Sequence, residues 1–201
     1  RVRNMPEAGV ERALQAEAAA FQDTYLQKRV ALVQSRPEDP LDVAGQQQYL
    51  ARARALATQF PQDPLEKSRD SLDLVRRWAS KSVNAGEPEA FSKRVQERAQ
   101  IRVTALTHKY AADPQLLEAA TDYVSYLPGD SPARDARVVA IKAQAEKLGD
   151  AAAGKQQLML AAEYYGVAGA DAKAQRANEQ LQALAQSRMQ PSMDAARKNA
   201  E

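Results

Sequence analysis

The stretch at 60–79 reads FPQDPLEKSRDSLDLVRRWA, and its opening turn decides how the rest of the chain is parsed. Asp63 followed by Pro64 is a helix start. An aspartate at the N-cap takes up a free backbone N–H, and proline at the first helical position lacks an N–H that would have no partner there. Leu65, Leu72, Val75, Trp78 and Ala79 then recur at helical steps. The spacing predicts a helix over about 64–83, with Trp78 in the core. The same kind of dipeptide occurs as Asp39-Pro40, Glu87-Pro88 and Asp113-Pro114, at steps of 24, 24 and 26 residues. Near-equal spacing predicts a row of similar helices.

Outward from this segment the pattern continues. Val10, Leu14, Ala18, Phe21, Tyr25, Val30 and Val33 predict one long helix over about 7–34. Asp39 is expected to cap a helix over 40–59, and Gly86 to stop the helix before it. Further helices are expected over 88–111 and, capped by Asp113, over 114–127. Ser131 is expected to cap a helix at 132–148 that ends at Gly149; Asp150 then opens 151–166, and a last helix spans 171–188. The polar segment 189–201 reads as a mobile tail outside a single domain over 1–188.

The fold expected is all-α, with seven to nine antiparallel helices forming a short helical-repeat superhelix. ALATQFPQDP at 55–64 aligns with ALTHKYAADP at 105–114, an offset of 50 residues. Two helices per offset make a hairpin, and hairpins stack into solenoids. The alternative is an irregular helical bundle that uses the same turn several times.

Composition narrows the function classes. The chain has 201 residues, 28 Lys and Arg against 26 Asp and Glu, and a net charge of +2. That balance argues against a dominant nucleic-acid or anionic-membrane role. There is no cysteine, hence no disulfide framework and no thiol chemistry. No apolar run approaches the roughly 20 residues needed to span a bilayer. The start at Arg1, without Met, fits a chain from which a signal or anchor has been removed, or one that has been trimmed.

The text LAAEYYGVAGADAKAQRANEQLQAL at 160–184 resembles a tetratricopeptide-type repeat. Tyr165, Gly169 and Ala174 fall at the spacing of that family's Tyr, Gly and first second-helix Ala, and Ala162 is small where the family wants a small residue. Asn178 departs from the aromatic or Leu of the pattern. The resemblance implies a right-handed helical array that binds peptides or proteins in a groove, and it names no ligand.

Catalytic and metal motifs are absent from the text. His108 is the lone histidine, so no multi-His zinc site can form. No Ser-His-Asp pattern and no phosphate-cradling glycine loop is present. No cofactor is expected. Arg94, Arg98 and Arg102 recur at four-residue steps beside Lys93, and Arg69, Arg76 and Arg77 add charge on the preceding helix. This stripe is either a solvated helix face or a contact for phosphates or an acidic protein. In the Tyr164-Tyr165 pair, adjacent helical positions diverge by about 100°. One ring is expected in the core, and Tyr164 is the candidate partner contact.

The expected function is a non-enzymatic protein- or peptide-binding scaffold or adaptor. The Ala- and Gln-rich, Cys-free style suggests a bacterial envelope or periplasmic setting, with the cytoplasm as the alternative. Two other readings are nucleic-acid or acidic-partner binding through the Arg stripe, and an enzyme with a cleft around His108.

Overall fold

The structure, a computed structural model, describes residues 5–39 and 41–198. It is all-α. Among the described residues there are nine α-helices and no strand: α1 (Met5–Ala20), α2 (Asp23–Gln34), α3 (Val43–Gln59), α4 (Pro64–Lys81), α5 (Glu87–Thr104), α6 (Pro114–Val124), α7 (Ser131–Gly154), α8 (Leu158–Ala168) and α9 (Asp171–Lys198). A π-helical turn, Ala105–Lys109, follows α5 directly.

The Asp-Pro starts form by the expected chemistry. Asp63 accepts from the Leu65 N–H at 2.9 Å, and Asp113 accepts from Gln115 and Leu116. Pro64 and Pro114 open their helices. Elsewhere the caps shift. Asp42 caps α3 by accepting from Gly45, whereas Asp39 accepts from Leu41 in the preceding turn. The expected start at Pro40 falls outside the described residues. Asp130, not Ser131, caps α7. Gly86 stands at the N-cap of α5 with φ 83°, a left-handed conformation that glycine adopts without steric cost.

Three other boundaries differ from the sequence reading. The long first helix breaks at Phe21-Gln22, where Phe21 turns inward to meet Tyr123 edge-on and lies under the Arg102 guanidinium. The break lets α1 pack on α4 while α2 takes a separate course. Second, α7 runs straight through Gly149. A Cβ there would stand 2.7 Å from Cε1 of Tyr165, so this glycine serves close helix approach rather than termination. The turn comes later, around Gln156 at φ 59°, and α8 starts at Leu158. Third, α9 continues to Lys198 with Pro191 inside it, past the expected end at 188.

From α4 onward each helix packs against the next, and α6 also touches α8. The interior is filled by Leu72, Val75, Phe91, Val95, Leu106, Leu116, Leu117, Tyr123 and Leu127, with Val10 and Leu14 contributed by α1. Trp78 is half-buried and lies over Gly9, whose missing side chain leaves room for the ring. No helix among the described residues is long and apolar enough to cross a membrane.

Candidate binding cleft

Helix α2 meets the starts of α4 and α6, and the segment just after it meets α8. Tyr25 and Arg29 of α2, together with Arg36 two residues beyond its end, make the polar contacts. The Tyr25 hydroxyl donates to Asp63 at 3.4 Å. The Arg29 Nε donates to Asp113 at 2.9 Å, and its Nη2 to Gln115 at 2.5 Å. Arg36 forks onto Glu163 of α8 through Nη1 at 2.6 Å and Nη2 at 3.0 Å. Such two-pronged pairing fixes orientation as well as charge. Each aspartate caps its helix while receiving a donor from α2, so local helix starts and tertiary order share the same atoms.

Helix α3 is placed differently. It buries no residue, and Val43 and Leu50 stand exposed on it. Lys28 of α2 donates to its Gln59 at 2.6 Å, and Phe60, just past its end, stacks tilted on Tyr25 with centroids 4.9 Å apart. Two cavities flank the line where Leu32 meets Leu56. The larger, about 310 Å³, has an apolar wall of Leu32, Val33, Ala53, Leu56, Ala57 and Phe60. Its polar side carries Tyr25, Arg29, Arg36, Asp63, Asp113 and Glu163. Burial raises the pKa of the Tyr25 hydroxyl; Arg29 opposes the shift, and the Asp63 charge adds to it. At neutral pH that hydroxyl is a donor.

The side chains singled out in the sequence lie elsewhere. Arg94 pairs with Glu11 at 3.5 Å and Glu7 at 3.8 Å. Arg98 is partly buried and has no ion pair among the described residues. Arg102 is buried, forked onto Glu17 of α1, so the three arginines do not form one open basic surface. Tyr164 and Tyr165 are both buried. The Tyr164 hydroxyl donates to the Ala111 carbonyl at 2.7 Å, and the Tyr165 hydroxyl to Asp150 at 2.9 Å. His108 is exposed on the π-helical turn, away from the cleft. No group of three or more His, Asp and Glu side chains is placed to hold a metal ion among the described residues.

Sequence reasoning missed the cleft because it read α2 as an apolar stripe running on from α1. The signal was there in Tyr25 and Arg29, which share a helix with Leu32 and Val33, and in Arg36 just beyond its end. Cations on the apolar face of a helix need acceptors on whatever that face covers. Compared with protein-family models, with curated proteins and with solved structures, the chain matches none of them.

Proposed function

We propose that this chain is a non-enzymatic scaffold that binds a peptide or a segment of another protein in the cleft between α2 and α3. One observation carries the reading: α3 buries none of its residues, and its Ala53, Leu56 and Ala57 line an open cleft. A helix held this way leaves apolar surface for a ligand to cover, and partial opening costs little packing. The polar side of the cleft supplies donors and acceptors for a peptide backbone. The contacts of α2 and the Arg36 that follows it with α4, α6 and α8 support the likeness to a short helical-repeat array of the tetratricopeptide type. The Ala- and Gln-rich composition suits a place in the bacterial cell envelope or periplasm, with the cytoplasm as the alternative.

Panning a random peptide library against the immobilised chain tests this. The reading expects enrichment of a sequence class in which apolar residues adjoin a charged or amide residue. Failure to enrich any class, or enrichment of peptides that bind Ala53→Arg equally well, would refute it. Because α3 buries nothing, Ala53→Arg is expected to leave the fold intact.

A further inference from the structure

At the far end of α6 lies a further cavity of about 210 Å³, bordered by four elements. Helix α4 contributes Arg76, α5 contributes Ser92, Val95 and Gln96, the turn after α6 contributes Ser125, Tyr126 and Leu127, and α7 contributes Arg134. Among the described residues no carboxylate lines it. This sets the two arginines apart from Arg29, Arg36, Arg69, Arg94, Arg102 and Arg188, each of which meets an Asp or Glu.

Arg76 and Arg134 are each held by one backbone carbonyl. Arg76 donates Nη2 to Ser125 at 2.8 Å, and its guanidinium lies 4.3 Å from the centroid of the Tyr126 ring. Arg134 donates Nε to Leu127 at 3.2 Å. Capping the last carbonyls of a helix is a structural role for a cation. It uses one of the five N–H groups that each guanidinium carries. The Ser92 hydroxyl and Gln96 amide have no hydrogen-bond partner among the described residues, and both face the same space. The floor is apolar, built from Val95 and Leu127, which are almost wholly buried. Charge interactions above such a floor are screened less than in open water.

We propose that this cavity is a binding site for a phosphate group. Two guanidiniums from different helices balance a dianion, and a phosphate carries about −1.5 to −2 charges at neutral pH. Donors arrive from α4, α5 and α7, which suits a tetrahedral group with several oxygens better than a planar carboxylate with two. Arginine forks match phosphate geometry in just this way. The site shares no residue with the cleft between α2 and α3 and stands independently of the reading given for it.

The test is titration of the full chain with inorganic phosphate and, separately, with phosphoserine, followed by calorimetry and thermal unfolding. Sodium chloride at matched ionic strength is the reference. The expected result is saturable binding and a rise in melting temperature beyond that of chloride. Tighter binding of phosphoserine assigns the site to a monoester, and tighter binding of inorganic phosphate to the free ion. Gln96→Glu places a carboxylate of the same shape in the cavity. It is expected to raise the melting temperature without phosphate and to weaken phosphate binding about tenfold or more. Arg94→Gln, at an arginine already paired elsewhere, is expected to leave the affinity unchanged. A phosphate response no larger than that of chloride would overturn the proposal. So would Gln96→Glu binding phosphate as tightly as the wild type, or Arg94→Gln weakening it equally.

Discussion

Arg102 and Glu17 face each other inside the protein, 85 residues apart in the chain, with Nε 2.7 Å from Oε1 and Nη2 2.8 Å from Oε2. Ser68 of α4 donates to Oε1 of Glu17 at 2.8 Å, and the Arg102 guanidinium lies 4.0 Å from the centroid of the Phe21 ring. Glu17 is fully buried and Arg102 is 8 % exposed. One ion pair thus ties α1 to α5, with α4 and the inter-helix residue Phe21 closing around it.

Breaking this pair from one side leaves a buried charge uncompensated. Arg102→Met is expected to lower unfolding free energy by about 3–5 kcal/mol, measured by urea denaturation. Replacing both partners by Met removes both charges together, and the double variant is expected to recover most of that loss. A double variant as unstable as the single one would show that the fold needs the pair's geometry rather than its neutrality.

Two glycines in neighbouring helices are expected to respond with opposite sign to the same substitution. At Gly149 an alanine Cβ meets the Tyr165 ring at 2.7 Å and the Tyr164 Cβ at 3.3 Å, so Gly149→Ala is expected to cost about 1–3 kcal/mol. At Gly166, inside α8, nothing lies within 4 Å. Gly166→Ala is expected to stabilise by roughly 0.5–1 kcal/mol through helix propensity. Thermal unfolding of the two variants against the wild type checks the sign of each.

Buried tyrosines set the alkaline limit. The Tyr123 and Tyr164 hydroxyls are each pushed up to about 12, chiefly by burial, with the negative charge of Glu17 adding at Tyr123 and that of Asp113 at Tyr164. Both exceed the unfolded value of about 10, so the folded state holds these protons more tightly. Their contribution to stability is fully present below about pH 10 and is lost as pH rises through about 12. Tyrosinate absorbance and far-ultraviolet circular dichroism are expected to change together in that window. Full ionisation of all tyrosines near pH 10 with helicity intact would contradict the burial described for these two rings.

Local structure was more legible than tertiary structure. Asp63-Pro64 and Asp113-Pro114 announce their helices because the cap and the proline act within one turn. Gly149 misled because glycine has two uses, ending a helix and admitting a neighbour, and the neighbour, Tyr165, comes from the next helix. Gly9 under Trp78 likewise admits a neighbour from another helix. Arg102 misled more seriously. Its four-residue spacing from Arg98 and Arg94 describes a helix face, but which part of that face is covered depends on α1, far away in the chain. The cleft was illegible for a related reason. Leu56 and Phe60 look like core positions in the text, and only the thin contact of α3 with α2 leaves them lining open space.

The central claim is that the cleft between α2 and α3 takes a peptide, and the affinity of a library-selected peptide for the wild type and for Ala53→Arg tests it most directly. The account predicts saturable binding to the wild type, and loss of about tenfold or more in Ala53→Arg, whose arginine fills the apolar wall. The same melting temperature in both chains would place that loss in the cleft. Equal affinity of the two chains for the peptide would contradict the account.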